Sequence, residues 1–324
     1  MGVGNIRLGA PLLAHHATTA HVGAAYPWMA EAGLGSDGVY IGQDLHGGAF
    51  CYDPWQLYPS VIQGPNMVVF GKLGARKSSL IKTYCWRQLA FGRQVWILDV
   101  KPEYKRLCQA AGGVYVSLRP GGGVRLNPLE ALLRDRRPEA IHQARIELMD
   151  SLVEAAVGRP LESIEHTGVD VAVGLAAVRA TAQSREPTLR DVLEVMLNPD
   201  HDVAAAMYMS AEGTQNVLRD VAHGLRRLVE GDLRGMFDGP TTAGIDLTSP
   251  VVAFDVSRIS KSTSLGVVMI CVSAWLRRLL TESEDEGRRR VIVYDEAWKV
   301  LRVPGVARFL NESWKLARPW GVQN

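Results

Sequence analysis

The stretch from Met67 to Ser79 constrains this chain more than any other. A short apolar run, Met67-Val68-Val69-Phe70, ends at Gly71. GKLGARKS follows, the pattern G-x-x-x-x-G-K-[ST] with one position changed. Gly71 opens the pattern, Lys77 and Ser78 close it, and Arg76 stands where its last glycine belongs. The apolar run predicts a buried strand. Behind the loop, Leu80, Ile81, Tyr84, Cys85 and Leu89 recur at helix spacing until Gly92. Strand, glycine-rich loop and helix in that order make a cradle for phosphate, because backbone N–H groups and the positive end of a helix dipole face one anion. In such a loop Lys77 reaches the terminal phosphates and the Ser78 hydroxyl is a ligand for magnesium. Lys72 and Arg76 make the cradle basic, and Arg76 carries a steric cost wherever the backbone takes φ > 0. The candidate cofactor-binding residues are Gly71, Lys72, Leu73, Gly74, Ala75, Arg76, Lys77, Ser78 and Ser79.

A second signature lies near the end of the chain. Val291-Ile292-Val293-Tyr294 predicts a buried strand, and Asp295 and Glu296 leave it together. A carboxylate at the strand end can hold a magnesium ion, and the next carboxylate can polarise an attacking water. Those are the expected roles of Asp295 and Glu296. The expected cofactors are ATP and Mg2+.

Between the two signatures the chain alternates. Gln94–Val100 reads as a buried parallel strand ending in Asp99. A helix follows between Pro102 and Gly112-Gly113, and Val114–Leu118 is a third strand. This rhythm implies an α/β fold with a mostly parallel sheet and right-handed crossovers. From Pro138 to about Val229 the pattern turns helical, with helix starts at Pro138 and Pro187-Thr188 and a further helix over Thr214–Val229. Strands resume at Val251–Val256 and Arg290–Glu296, around a long helix over Ser264–Thr281, and a last helix covers about Gly305–Ala317. Upstream, Gly38–Gly42 and Gly48–Tyr52 flank the turn Asp44–Gly47 as a hairpin. The expected division is a cap segment with a hairpin over 1–60, the first part of the core over 61–130, an all-α insertion over 131–235, and the second part of the core over 236–324.

Composition removes several alternatives. Cys51, Cys85, Cys108 and Cys271 are scattered, which suits reduced thiols better than a disulfide framework or a zinc site. The net charge of +2 is too mild to argue for nucleic acid, and Arg288-Arg289-Arg290 reads as a solvated loop before a strand. The most apolar helix, Leu265–Leu276, is closed by Arg277 and Arg278 short of the ~20 residues a span needs, so it reads as a core helix.

PNMVVFGKLGARKSSLIKTYCWRQ, VWILDVKPEY, VRLNPL, the block from LRGMFDG to VVAFDVS, VIVYDEAW and ESWKLARPWGV together resemble the motor ATPases of conjugative and type IV secretion systems. These belong to the HerA–FtsK branch of the P-loop ATPases, and the likeness covers roughly residues 26–324 and is nearest to actinobacterial members. The resemblance implies a RecA-like core with an all-α insertion, a ring or hexamer of copies, secretion or conjugation channel components as partners, and DNA as a possible partner. It also implies a cytoplasmic post at the inner face of the membrane. It adds Arg318 as a catalytic candidate beside Glu296 and Lys77, an arginine after the last helix that senses the terminal phosphate; the alternative is a helix C-terminal charge. Asp99, Lys101 and Glu103 match a family block beside the site, where members more often read DPKGEY; a solvated turn is the default expectation for them. The chain departs from the pattern at Arg76 and at Pro319. Gly321–Asn324 reads as the opening of a further strand that members continue, so the chain looks like a shortened product.

Three functions follow as expectations: an ATP-hydrolysing motor subunit, a nucleotide-binding assembly module with little turnover, and a HerA- or FtsK-like DNA translocase.

Overall fold

The computed structural model describes residues 18–20, 37–44, 47–72, 74–130, 137–259, 262–282, 289–299, 301–303, 305–317 and 321–324. Leu73, Arg288, Arg318 and Pro319 lie outside them. The chain divides into two compact units, Met1–Tyr52 and Asp53–Asn324.

The first unit carries the expected hairpin. β1 (Val39–Gln43) pairs antiparallel with β2 (Ala49–Tyr52). Asp44 closes the turn: its carboxylate accepts the Gly48 N–H at 2.9 Å, and Gly47 takes φ +85, where a side chain would strain the backbone.

The second unit is an α/β structure. Its elements begin with α1 (Pro54–Leu57), α2 (Lys77–Leu89), β3 (Gln94–Asp99), α3 (Lys105–Ala110) and β4 (Val114–Ser117). Five helices follow without a strand: α4 (Pro138–Val157), α5 (Ser163–Ala182), α6 (Leu189–Leu197), α7 (His201–Ala206) and α8 (Ala211–Arg226). The chain then returns through β5 (Val251–Asp255), α9 (Ser262–Glu282), β6 (Arg290–Tyr294), α10 (Val306–Ala317) and β7 (Val322–Gln323). The sheet has the order β4-β5-β3-β6-β7, and every neighbouring pair is parallel. Central β3 is buried at all six positions, which explains the apolar run Val95-Trp96-Ile97-Leu98 in its middle.

One expected strand is corrected. Met67–Phe70 forms no regular ladder, and Val68 and Phe70 are exposed rather than buried. A strand exists through its partners, and this segment has a single rung: the Met67 N–H donates to the Asn324 carbonyl at 2.9 Å. The Asn66 side chain braces it by accepting from the Asn324 backbone and amide nitrogens, both at 3.1 Å.

The helical segment between β4 and β5 begins where its sequence places caps. Pro138 opens α4 at its first turn. Thr188 and Asp191 form a reciprocal capping box on α6, and the Ser210 hydroxyl accepts from Gly213 N–H on α8. A single π-helical turn, Arg227–Asp232, extends α8, a feature the spacing did not signal. One continuous core runs from the sheet through α9 into this helical segment. Trp275 of α9 meets Phe254 of β5 edge-on at 5.9 Å, the geometry favoured by the ring quadrupoles. Among the described residues no helix is long and apolar enough to cross a membrane.

The arginine run is also corrected. Arg290 is buried in β6, donates to Gln94 Oε1 at 3.0 Å and lies over the Trp96 ring. Arg289 lies over Trp55, within 3.9 Å of the buried Asp53 carboxylate. Both side chains close the amino end of the sheet.

Candidate site at the carboxyl edge of the sheet

Parallel strands end on one edge, and the loops leaving it gather the candidate residues. β3 and β6 are neighbours in register, Leu98 opposite Tyr294. Asp99 and Asp295 therefore come next at the same level, and the Asp295 N–H donates to the Leu98 carbonyl at 3.4 Å. On the other side of β6, Val291 pairs with Gln323, and Asn324 takes the Met67 N–H. The Met67–Phe70 track thus lies two strand spacings, about 10 Å, from β6. α2 packs back over the sheet, with the buried Tyr84 hydroxyl donating to Gln323 Oε1 at 2.7 Å. Its last turn leads through Gly92 into the start of β3, so its first turn stands at the carboxyl edge. The Lys82–Glu103 ion pair at 3.0 Å, from α2 to the loop after β3, fixes the same orientation.

The loop itself is wound tightly. Ala75 N–H donates to the Lys72 carbonyl at 3.2 Å, and Gly74 takes φ +79. Arg76 caps α2 in the left-handed region, φ 58 and ψ 28, so the cost anticipated for this arginine is incurred. Lys77 opens the helix and folds its ammonium back over the loop, donating to the Gly71 carbonyl at 2.9 Å and the Lys72 carbonyl at 3.0 Å. Gly71 makes room for that stem: a Cβ there would stand 3.3 Å from Lys77 Cγ. Ser78 and Ser79 follow in the first turn of α2.

Asp295 and Glu296 stand in contrasting surroundings. One Asp295 oxygen accepts the Glu296 N–H at 3.0 Å; the other is buried and has no hydrogen-bond partner among the described residues. Burial, then the neighbouring Glu296 charge, push the Asp295 carboxyl above its ordinary range. Glu296 takes φ 54. Burial works against its charge too, but the Lys101 hydrogen bond and charge, with Lys299 and Trp298, outweigh that and hold it below its usual range. Lys101 Nζ pairs with Oε1; Trp298 Nε1 donates to Oε2 at 2.7 Å, and Lys299 Nζ lies 3.6 Å from it.

Asp99 is not part of a solvated turn. It is fully buried and accepts N–H bonds from Lys101, Glu103 and Tyr104 at 3.3, 3.1 and 2.9 Å, and the Tyr115 hydroxyl at 3.1 Å. The contact of Lys101 with Glu296 was missed from sequence. No local signal names it: Lys101 follows β3 and Glu296 follows β6, and only the adjacency of those two strands brings them together.

Among the described residues no group of three His, Cys, Asp or Glu side chains could hold a metal ion. A magnesium ion at a nucleotide needs only one or two protein ligands and takes the rest from phosphates and water. The lone buried Asp295 oxygen fits such a ligand.

No protein-family model matches the chain. It is 25% identical to Protein TraC of Escherichia coli over 259 residues, 78% of this chain. It is 25% identical to the type IV secretion system protein CagE of Helicobacter pylori over 214 residues, 64% of this chain. These matches span 28% and 21% of the two relatives' own lengths. The structure of VirB4 of Thermoanaerobacter pseudethanolicus superposes with a TM-score of 0.71 at 24% identity, over 91% of this chain and 77% of that one. The plasmid coupling protein TrwB in complex with ADP and Mg2+ superposes with a TM-score of 0.55 at 13% identity, over 89% and 67%. In sequence the chain is similar to TraC and CagE, and its fold is the α/β fold, with a parallel sheet and a helical region, of VirB4 and of the coupling protein TrwB.

Proposed function

We propose that this chain binds magnesium ATP in the loop Gly71–Ser79 and hydrolyses it as a motor subunit of type IV secretion or conjugative transfer. The observation that carries the reading is the shared carboxyl edge, where a left-handed loop and the first turn of α2 face the same side of the sheet as Asp295 and Glu296. Backbone N–H groups at the helix start and the Lys77 ammonium would hold the phosphates. Lys77 now rests on two loop carbonyls, bonds that an incoming phosphate replaces. Ser78 and Asp295 would hold magnesium, which supplies neutralising charge at the phosphates when bound. Glu296, kept ionised at neutral pH, would accept the proton of the attacking water. The ADP and Mg2+ of the TrwB complex support that ligand choice by analogy of fold. Assembly into a hexamer, attachment to channel components at the inner membrane face, and DNA as cargo extend the proposal from the relatives.

The test is steady-state hydrolysis. Lys77→Ala should lower magnesium-dependent ATP turnover at least a hundredfold while the fold, read by circular dichroism, stays intact. Equal turnover in the two proteins would remove the enzyme claim. A second reading, a nucleotide-binding module with little turnover, is favoured by the strained Arg76 backbone. A large gain of turnover in Arg76→Gly would identify that state.

A further inference from the structure

We propose that Lys101 is the positioning residue for Glu296, the water-polarising carboxylate in the reading above, on which this inference rests. Both oxygens of Glu296 are engaged, but the partners differ in kind. Trp298 and Lys299 sit on the short turn Ala297–Lys299, in the same loop as Glu296, so they tie the carboxylate only to its own loop. Lys101 comes from the loop after β3, and among the described partners of that carboxylate it alone ties Glu296 to a different strand. The root of Lys101 is held in turn. Buried Asp99 collects the Lys101, Glu103 and Tyr104 N–H groups, which fixes the direction in which the lysine stem leaves the sheet. Glu103 of the same turn pairs with Lys82 of α2, the helix that begins at Lys77. One ammonium thus sets the carboxylate against β3, and the same turn sets β3 against the phosphate loop.

The Glu296 backbone supports this. A non-glycine residue at φ 54 sits in an unfavourable region and persists where contacts over-determine it. The Lys101 side chain is 42% exposed, so the pair contributes little to stability. Orientation, not folding, is what its loss removes.

The experiment uses the full chain with Lys101→Met, Lys101→Arg and Glu296→Gln, read by magnesium-dependent ATP turnover and by binding of a fluorescent ATP analogue. Lys101→Met should lower kcat at least tenfold with KM and analogue binding within twofold of the parent. Lys101→Arg, which keeps the charge, should recover most of the loss. In the Glu296→Gln background Lys101→Met should add nothing, because the two act as one unit. Should the Met variant fold poorly, Lys101→Gln carries the same comparison. A kcat that is unchanged or raised in Lys101→Met, or a loss added in full on top of Glu296→Gln, overturns the proposal. If Glu296→Gln and Lys77→Ala also leave turnover unchanged, the hydrolytic reading falls first and takes this one with it.

Discussion

At Arg76 the backbone takes φ 58 and ψ 28, a region that costs an L side chain about 1–2 kcal/mol and glycine little. Glycine loses more entropy on folding, so Arg76→Gly should stabilise the chain by only about 1 kcal/mol, seen as a raised denaturant midpoint at unchanged slope. A lowered midpoint would mean that the arginine side chain contributes more than the strain costs. Asp295 poses the opposite kind of problem. Its carboxyl is raised in the folded state, so the native chain binds the proton more tightly than the unfolded one. Stability from this group therefore falls as pH rises from the ordinary aspartate value of 3.8 through the raised folded value. Asp295→Asn should raise stability at pH 7 on the order of 1 kcal/mol, with the gain shrinking below that ordinary value. Melting curves of both proteins across that pH range check the sign.

Between elements, Gly305 decides how closely the turn before α10 meets α4. It takes φ +76, and a Cβ there would lie 2.6 Å from the Ser151 carbonyl oxygen. Strain and overlap act together, so Gly305→Ala should cost about 3 kcal/mol in chemical denaturation. Beside this contact, buried Glu154 of α4 pairs with Arg308 of α10, a second tie between the helical segment and the end of the core. The sequence made α4 and α10 legible separately, through Pro138 and the apolar spacing. Their contact was not legible, because Ser151 and Gly305 carry no local pattern that names the other. The same limit explains Met67–Phe70. Its apolar run matched a buried strand, yet it has one backbone bond to Asn324 and leaves Val68 and Phe70 exposed.

Across the whole molecule, the four cysteines report on the fold. All are free and buried. Burial pushes the Cys85 thiol up to about 12 and raises Cys108 and Cys271 as well. The thiolate is the reactive form, so a thiol reagent at pH 8 should label none of the four quickly in the native chain and all four in denaturant. Fast native labelling would show that these sites open far more readily than their burial allows.

What the sequence by itself determined was the alternation of strands and helices from Gln94 onward and the helical run between β4 and β5. Glycine loops, helix spacing and strand-end acids are local, and local steric and solvation preferences act on neighbours along the chain. That is why the parallel α/β sheet and the helical segment were readable, and why Lys77, Asp295 and Glu296 could be proposed as one site. The tertiary structure alone decided that Lys101 grips Glu296, that Asp99 is a buried anchor and that Arg290 closes the sheet. Each of those outcomes depends on which strands lie side by side. That choice is made by packing between residues far apart in the chain, which no short window of sequence records.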